Sequence, residues 1–149
     1  KTRKLSKFDI DIDTFIEKAV QTVTLAENIK LVLNLESFKA MIDPDRITQV
    51  LVNLISNARD AMPQNGGVIT VAAKKTDEDS FIISVEDNAC GIDPESLKRI
   101  FEPLFTTKLK GIGLGLPIVK EIVEAHNGQI TVESTINVGT VFTIKLPIA

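Results

Sequence analysis

The 149-residue chain contains no tryptophan, one cysteine and one histidine. A single thiol, Cys90, excludes an internal disulfide and a cysteine-based zinc site, and the lone His126 excludes a histidine-rich metal centre. No apolar run approaches the ~20 residues that a membrane-spanning helix needs, and no signal peptide opens the chain. Basic residues number 17 against 20 acidic ones, a net charge of -3. A nucleic-acid binder would show a basic surplus or stripe instead. Internal repeats and low-complexity tracts are also missing. Together these absences predict a soluble, cytoplasmic domain with no nucleic-acid partner.

Hydrophobic residues make up 44% of the chain and charged residues 25%, the proportions of an ordinary globular domain. The basic start, residues 1–7, has no apolar period and reads as a linker, leaving 8–149 as one domain. Residues 8–12 alternate as a short strand. Residues 13–27 carry helical spacing behind Asp13 as a cap. "IKLVLNLES" and "KAMI" read as strands, and "DPDRITQVLVNLISNARDAM" as a strong helix that starts at Asp43 and Pro44. "GVITVAAKK" and "SFIISVED" form a hairpin around "TDEDS". A long segment, 88–116, holds only a short helix near 94–101. "LPIVKEIVEAH" is a helix, and "GQITVES" and "GTVFTIKLP" are a second strand pair. This order lacks regular βαβ alternation. It predicts an α+β, two-layer sandwich, with a mostly antiparallel sheet covered on one face by helices.

Three places carry chemistry. On the helix over 46–62, Ile47, Val50, Leu51, Leu54, Ala58, Ala61 and Met62 share a broad apolar face. Beside it runs a narrow stripe of Arg46, Gln49, Asn53, Asn57 and Asp60. Asn53 and Asn57 lie one turn apart and point the same way. They are either solvated or the wall of a site, and an amide oxygen is a suitable ligand for Mg²⁺ that shares phosphate oxygens. In "FIISVEDNACGI", Asp87 has the parity of Phe81, Ile83 and Val85, which puts a carboxylate at the inward edge of a strand. It is either a turn former or an acceptor for a ligand that presents N–H groups. Third, "FEPLFTTK" precedes "GIGLGL" and Pro117. Glycines expose backbone N–H groups, and Pro117 suits the first residue of a helix whose N-terminus would face an anion. No G-x-x-x-x-G-K-[ST] is present, and the glycines do not follow a strand, so neither a P-loop nor a dinucleotide-binding βαβ unit fits.

The order of these blocks is more specific than any one of them. "QVLVNLISNARDAM", "DNACGI", "FEPLFTTK", "GIGLGLPIVKEIVEAHNGQITVES" and "GTVFTIKLP" resemble the N, G1, F and G2 boxes of the ATP-binding catalytic domain of sensor histidine kinases. The likeness runs from about Phe8 to Pro147 and is strongest to the nitrogen- and dicarboxylate-sensing subgroup, with its short ATP lid. It implies a Bergerat-type fold that binds ATP and Mg²⁺ and releases ADP. It implies Asn57 as the Mg²⁺ ligand, Asp87 as acceptor from the adenine amine, and Gly91 as a point of close backbone approach to the base. Thr140 resembles the hydroxyl that joins Asp87 around adenine through water. Asp60, Ala61, Ile92, Phe105, Thr106, Thr107, Lys108, Gly111, Ile112, Gly113, Leu114, Gly115 and Leu116 complete the implied nucleotide contacts.

The sequence departs from that pattern at Ala89, where the G1 box usually has glycine, and at Asp60, where many kinases of the family carry lysine. Lys108 is therefore the candidate cation for the phosphates. Hydrolytic members of the wider superfamily place a glutamate one turn before the Mg²⁺ asparagine. Here that position is Asn53, which cannot serve as a general base. This favours a kinase over a hydrolase, with Asn53, Asn57 and Lys108 as the catalytic set. The resemblance further implies a phosphoacceptor histidine on a separate N-terminal dimerisation domain, a response regulator downstream, a monomeric fragment and a homodimeric whole. His126, in "EAHNGQI", lacks the acceptor context and reads as a helix-terminal residue that meets free carbonyls. Cys90 reads as a small packing residue. An anti-sigma-type serine kinase, a non-catalytic nucleotide switch and an interaction module with a dead pocket remain as alternatives.

Overall fold

A computed structural model describes residues 4–103 and 115–149. The chain opens with β1 (Phe8–Asp11) and α1 (Ile12–Val20), then β2 (Ile29–Leu35) and β3 (Lys39–Ile42). α2 (Pro44–Asp60) leads to the hairpin of β4 (Gly67–Lys75) and β5 (Ser80–Asp87). A single turn, α3 (Pro94–Leu97), precedes α4 (Gly115–Ala125), β6 (Gln129–Thr135) and β7 (Gly139–Pro147). The five-stranded sheet has the order β2-β4-β5-β7-β6. Only β2 and β4 pair in parallel, so the sheet is mixed and mostly antiparallel, as its hairpin signals require. β1 and β3 lie outside this sheet and form a separate two-stranded ribbon.

Alternation along β4, β5 and β7 sends Ile69, Val71, Ala73, Phe81, Ile83, Val85, Phe142, Ile144 and Leu146 to one buried face. Helix α2 covers that face with Ile47, Val50, Leu51, Leu54, Ile55 and Ala58, which recur at three- and four-residue intervals. Val119, Ile122 and Val123 of α4, and Ile12, Ile16, Ala19 and Val20 of α1, close the layer. α2 packs against both α1 and α4 and lies over β4 and β5. It is thus the central helix, and its polar stripe is held on a rigid base.

Helix ends follow local chemistry. The Asp43 carboxylate caps α2 by accepting from Arg46 N–H at 3.2 Å, and Pro44 occupies the first turn. α1 is shorter than its apolar spacing predicts and is preceded by Asp11 rather than capped by Asp13. The strand β1 runs directly into it, and the Ile12 N–H is taken by the Phe38 carbonyl at 2.9 Å. α4 holds Pro117 two residues after Gly115, its first described residue. It ends in a Schellman closure: Asn127 N–H donates to Glu124 O at 2.9 Å and Gly128 N–H to Val123 O at 3.0 Å. Asn127 adopts φ 62° there, a conformation asparagine tolerates well.

Candidate functional site

Asn53 and Asn57 stand on the flank of α2, half-buried beside its apolar stripe. The first residue of α4 meets this flank. A Cβ built on Gly115 would lie 3.7 Å from Asn53 Cγ and Oδ1. Gly115 of α4 thus faces α2 at Asn53. Leu116, half-buried, packs against the core at the same turn. Asp60 ends α2 one turn beyond Asn57, exposed, with its Oδ1 3.0 Å from Arg59 Nε. Arg59 also donates from a terminal nitrogen to the Thr24 carbonyl at 3.2 Å, which ties that cation to the α1–β2 connection. Ala61 caps the helix, half-buried. The sites expected at Phe105, Thr106, Thr107, Lys108, Gly111, Ile112, Gly113 and Leu114 lie outside the described residues.

Asp87 ends β5 on the buried face, 8% exposed, as its parity requires. Its Oδ1 accepts from the Ala89 N–H at 2.9 Å. Burial pushes its carboxyl above the ordinary carboxylate range and the neighbouring Glu86 charge adds to this, while the Ala89 and Thr140 N–H groups oppose it. Thr140 is its partner across the β5–β7 ladder. Thr140 Oγ1 lies 2.7 Å from Ser134 Oγ on the far strand β6. Ser134 Oγ also donates to the Gly139 carbonyl at 3.1 Å, and either hydroxyl can be the donor in the Ser134–Thr140 contact. The ionised Asp87 carboxylate only accepts, so a ligand group that faces it must donate.

Sequence reasoning missed Ser134 and Gly139. Ser134 Oγ also accepts from the Ile92 N–H at 2.7 Å, so one hydroxyl joins β6, β7 and the turn after β5. Nothing in a serine on an edge strand signals this, because one partner, Ile92, lies 42 residues away and the others meet it only once β6 pairs with β7. Gly139, with φ 146°, crosses the end of β5 so closely that a Cβ would lie 2.0 Å from the Asp87 carbonyl oxygen. Gly91, at φ 78°, has its own structural reason: a Cβ there would lie 2.3 Å from the Thr135 carbonyl oxygen. Cys90 is exposed and is not a packing residue; its carbonyl, not its thiol, holds the turn by accepting from Asn137 N–H at 2.8 Å. Ala89 is buried.

The family model for histidine kinase-, DNA gyrase B-, and HSP90-like ATPases matches residues 42–149, which contain α2, the Asp87 turn and α4. The chain belongs to this ATPase family. Among curated relatives, the sensor histidine kinase ZraS of Salmonella typhi is 52% identical over 106 residues, 71% of this chain and 23% of that protein. Sporulation kinase C of Bacillus subtilis is 37% identical over 152 residues, 99% of this chain and 34% of the relative. The chain thus spans about a quarter to a third of the length of these two relatives. Among solved structures, the catalytic domain of histidine kinase ThkA superposes with TM-score 0.82 at 29% identity, covering 97% of each chain. Full-length ShkA in complex with AMPPNP superposes with TM-score 0.89 at 26% identity, covering all of this chain and 32% of that one. Within its ATPase family, the chain has the fold and sequence of a histidine kinase catalytic domain.

Proposed function

We propose that this domain binds ATP with Mg²⁺ and donates the γ-phosphate to a histidine on a separate dimerisation and phosphoacceptor domain, in two-component signalling. The observation that carries the nucleotide assignment is the buried Asp87 carboxylate with the Thr140 hydroxyl beside it. The exocyclic amine of adenine supplies a donor to that carboxylate, whereas the carbonyl at the same position of guanine would meet a second acceptor. The phosphates then extend toward Asn53, Asn57 and Gly115 of α4.

The donor set fits Mg²⁺ bound through phosphate. Among the described residues no group of three or more histidine, cysteine, aspartate or glutamate side chains converges on one point, so an all-protein cage is absent there. Asn57 offers an amide oxygen of the hard type Mg²⁺ accepts alongside water and phosphate oxygens. Bound there, the ion would neutralise charge on the phosphates. The chain's own residues orient the base, exclude water from it and, at Asn53, withhold a general base from the attacking position. Lys108 is the proposed further cation. Residues 1–7 are the proposed connection to the acceptor domain, with a cytoplasmic homodimer as the whole protein and a response regulator as the next acceptor. The described residues hold no helix long and apolar enough to cross a membrane.

Calorimetric titration with ATP, with and without Mg²⁺, and with GTP, tests the reading. Mg²⁺-assisted ATP binding, weak GTP binding and loss of ATP binding in Asp87→Asn are expected. ATP-dependent labelling of a supplied acceptor domain would then separate a kinase from a nucleotide switch. Equal binding of ATP and GTP would overturn the assignment of Asp87 as the base acceptor.

A further inference from the structure

One hydrogen-bonded chain links the N-terminal segment to the helices of the site and plays no part in the base pocket. Its hub is Asp43, only 6% exposed. One carboxylate oxygen accepts from the Arg46 N–H at the start of α2, and the other accepts from the Ser6 N–H at 2.9 Å. The backbone N–H of Asp43 donates to His126 Nε2 at 3.1 Å. Nε2 must therefore be unprotonated, so the ring proton sits on Nδ1, where it donates to the Ile122 carbonyl at 2.9 Å. His126 is 1% exposed, and both of its nitrogens are used. Burial holds its pKa below the ordinary value, and Lys7 opposes its protonation while the Asp43 charge favours it. The segment at Ser6 and Lys7 thus faces both members of the pair.

The location of this chain gives it consequence. α2 and α4 run antiparallel: the start of α2 meets the end of α4 at Asp43 and His126, and the middle of α2 faces Gly115 of α4 at Asn53. Ten residues separate Asp43 from Asn53, and eleven separate Gly115 from His126, about 15 Å along each helix axis. The Asp43–His126 hydrogen bond fixes one end of the stretch over which the two helices lie together. The other end of that stretch carries Asn53, one turn before Asn57, and Gly115.

We propose that Ser6, Asp43 and His126 form a positioning relay, through which the N-terminal segment sets the seat of α4 on α2 and so the phosphate end of the nucleotide site. The inference rests on the ATP-binding reading for its consequence, but the relay itself has a readout without nucleotide. Ser6→Pro removes one N–H donor and leaves the carboxylate. His126→Leu removes the acceptor for the Asp43 N–H, whereas His126→Gln retains one.

The test is NMR of the uniformly ¹⁵N-labelled 149-residue chain, followed by Mg²⁺–ATP titration of the same samples. The relay predicts that Ser6→Pro shifts the Asn53 side-chain amide cross-peak in the apo protein and weakens Mg²⁺–ATP binding about fivefold. His126→Leu should do the same, the double variant should be no worse than the stronger single one, and His126→Gln should restore both signals. An unmoved Asn53 cross-peak in folded variants, or strictly additive losses, would overturn the relay. So would a lowered melting temperature with unchanged affinity, since that is what a merely structural contact gives. If Ser6→Pro fails to fold, the chain starting at Lys7 supplies the same comparison. Failure of the wild-type chain to bind ATP would instead remove the functional reading, while the apo cross-peak still decides the relay.

Discussion

Asp87 and Thr140 stand opposite each other on β5 and β7, buried side by side at the end of the sheet's helix-covered face. Burial raises the Asp87 pKa, chiefly by desolvation. A carboxyl whose folded pKa is raised stabilises the fold only at low pH. Its contribution is fully present below the unfolded value of 3.8 and is lost as pH rises through the folded pKa. At neutral pH the charged form therefore works against folding. Asp87→Asn keeps an oxygen for the Ala89 N–H and removes the charge. It should abolish ATP binding while leaving the apo melting temperature at neutral pH unchanged or raised. Calorimetric scanning checks this, and a fall of several degrees would show that the carboxylate is a structural asset instead.

Gly139→Ala is expected to damage fold and site together. Its φ of 146° is a glycine conformation, and the added methyl would lie 2.0 Å from the Asp87 carbonyl oxygen. Strained backbone of this kind costs ~1–3 kcal/mol before the clash is counted. Urea unfolding should show a loss of at least ~2 kcal/mol, and ATP affinity should fall as the β5–β7 register at Asp87 relaxes.

Much of this was legible in the chain itself, for reasons that differ by residue. The period-2 pattern of "FIISVED" placed Asp87 on the buried face, because strand parity leaves no freedom. The 3.6-residue period placed Asn53 and Asn57 together on α2. Ser134, Gly139 and the Asp43–His126 bond were not legible, because each depends on which strands and helices become neighbours across 40 or more residues or across a sheet edge. α1 was overestimated, since Val23 and Leu25 pack on the core from irregular backbone and mimic a helical period. The separate β1–β3 ribbon was hidden for a similar reason, as local alternation shows that a strand exists without showing its partner.

His126 gives the fold a pH dependence of the opposite sign to Asp87. Its pKa is lowered, with burial the largest cause. A depressed histidine contributes stability that is present above the unfolded value of about 6.5 and is lost as pH falls through the folded pKa, because only the neutral ring can accept from the Asp43 N–H. Urea midpoints should therefore fall between pH 7.5 and pH 5.5. In His126→Gln, which has no titrating group, that part of the slope should vanish. An identical slope in both proteins would mean that other groups carry it.

Asn53 and Gly115 offer the sharpest separation between folding and chemistry. A methyl at Gly115 would touch Asn53 at 3.7 Å, an ordinary van der Waals distance, and the backbone there has no positive φ. Alanine is a better helix residue than glycine by up to ~1 kcal/mol. Gly115→Ala should therefore keep or slightly raise apo stability. If the start of α4 approaches the phosphates as proposed, the same methyl should weaken ATP binding, so stability and affinity should move in opposite directions. At Asn53 itself, Asn53→Glu places a carboxylate where a water-activating base would stand. It should raise background ATP hydrolysis above the wild-type rate without abolishing nucleotide binding. Phosphate release measured beside calorimetric affinity checks both changes. Unchanged hydrolysis in an ATP-binding Asn53→Glu protein would show that the asparagine is not what withholds water from the γ-phosphate.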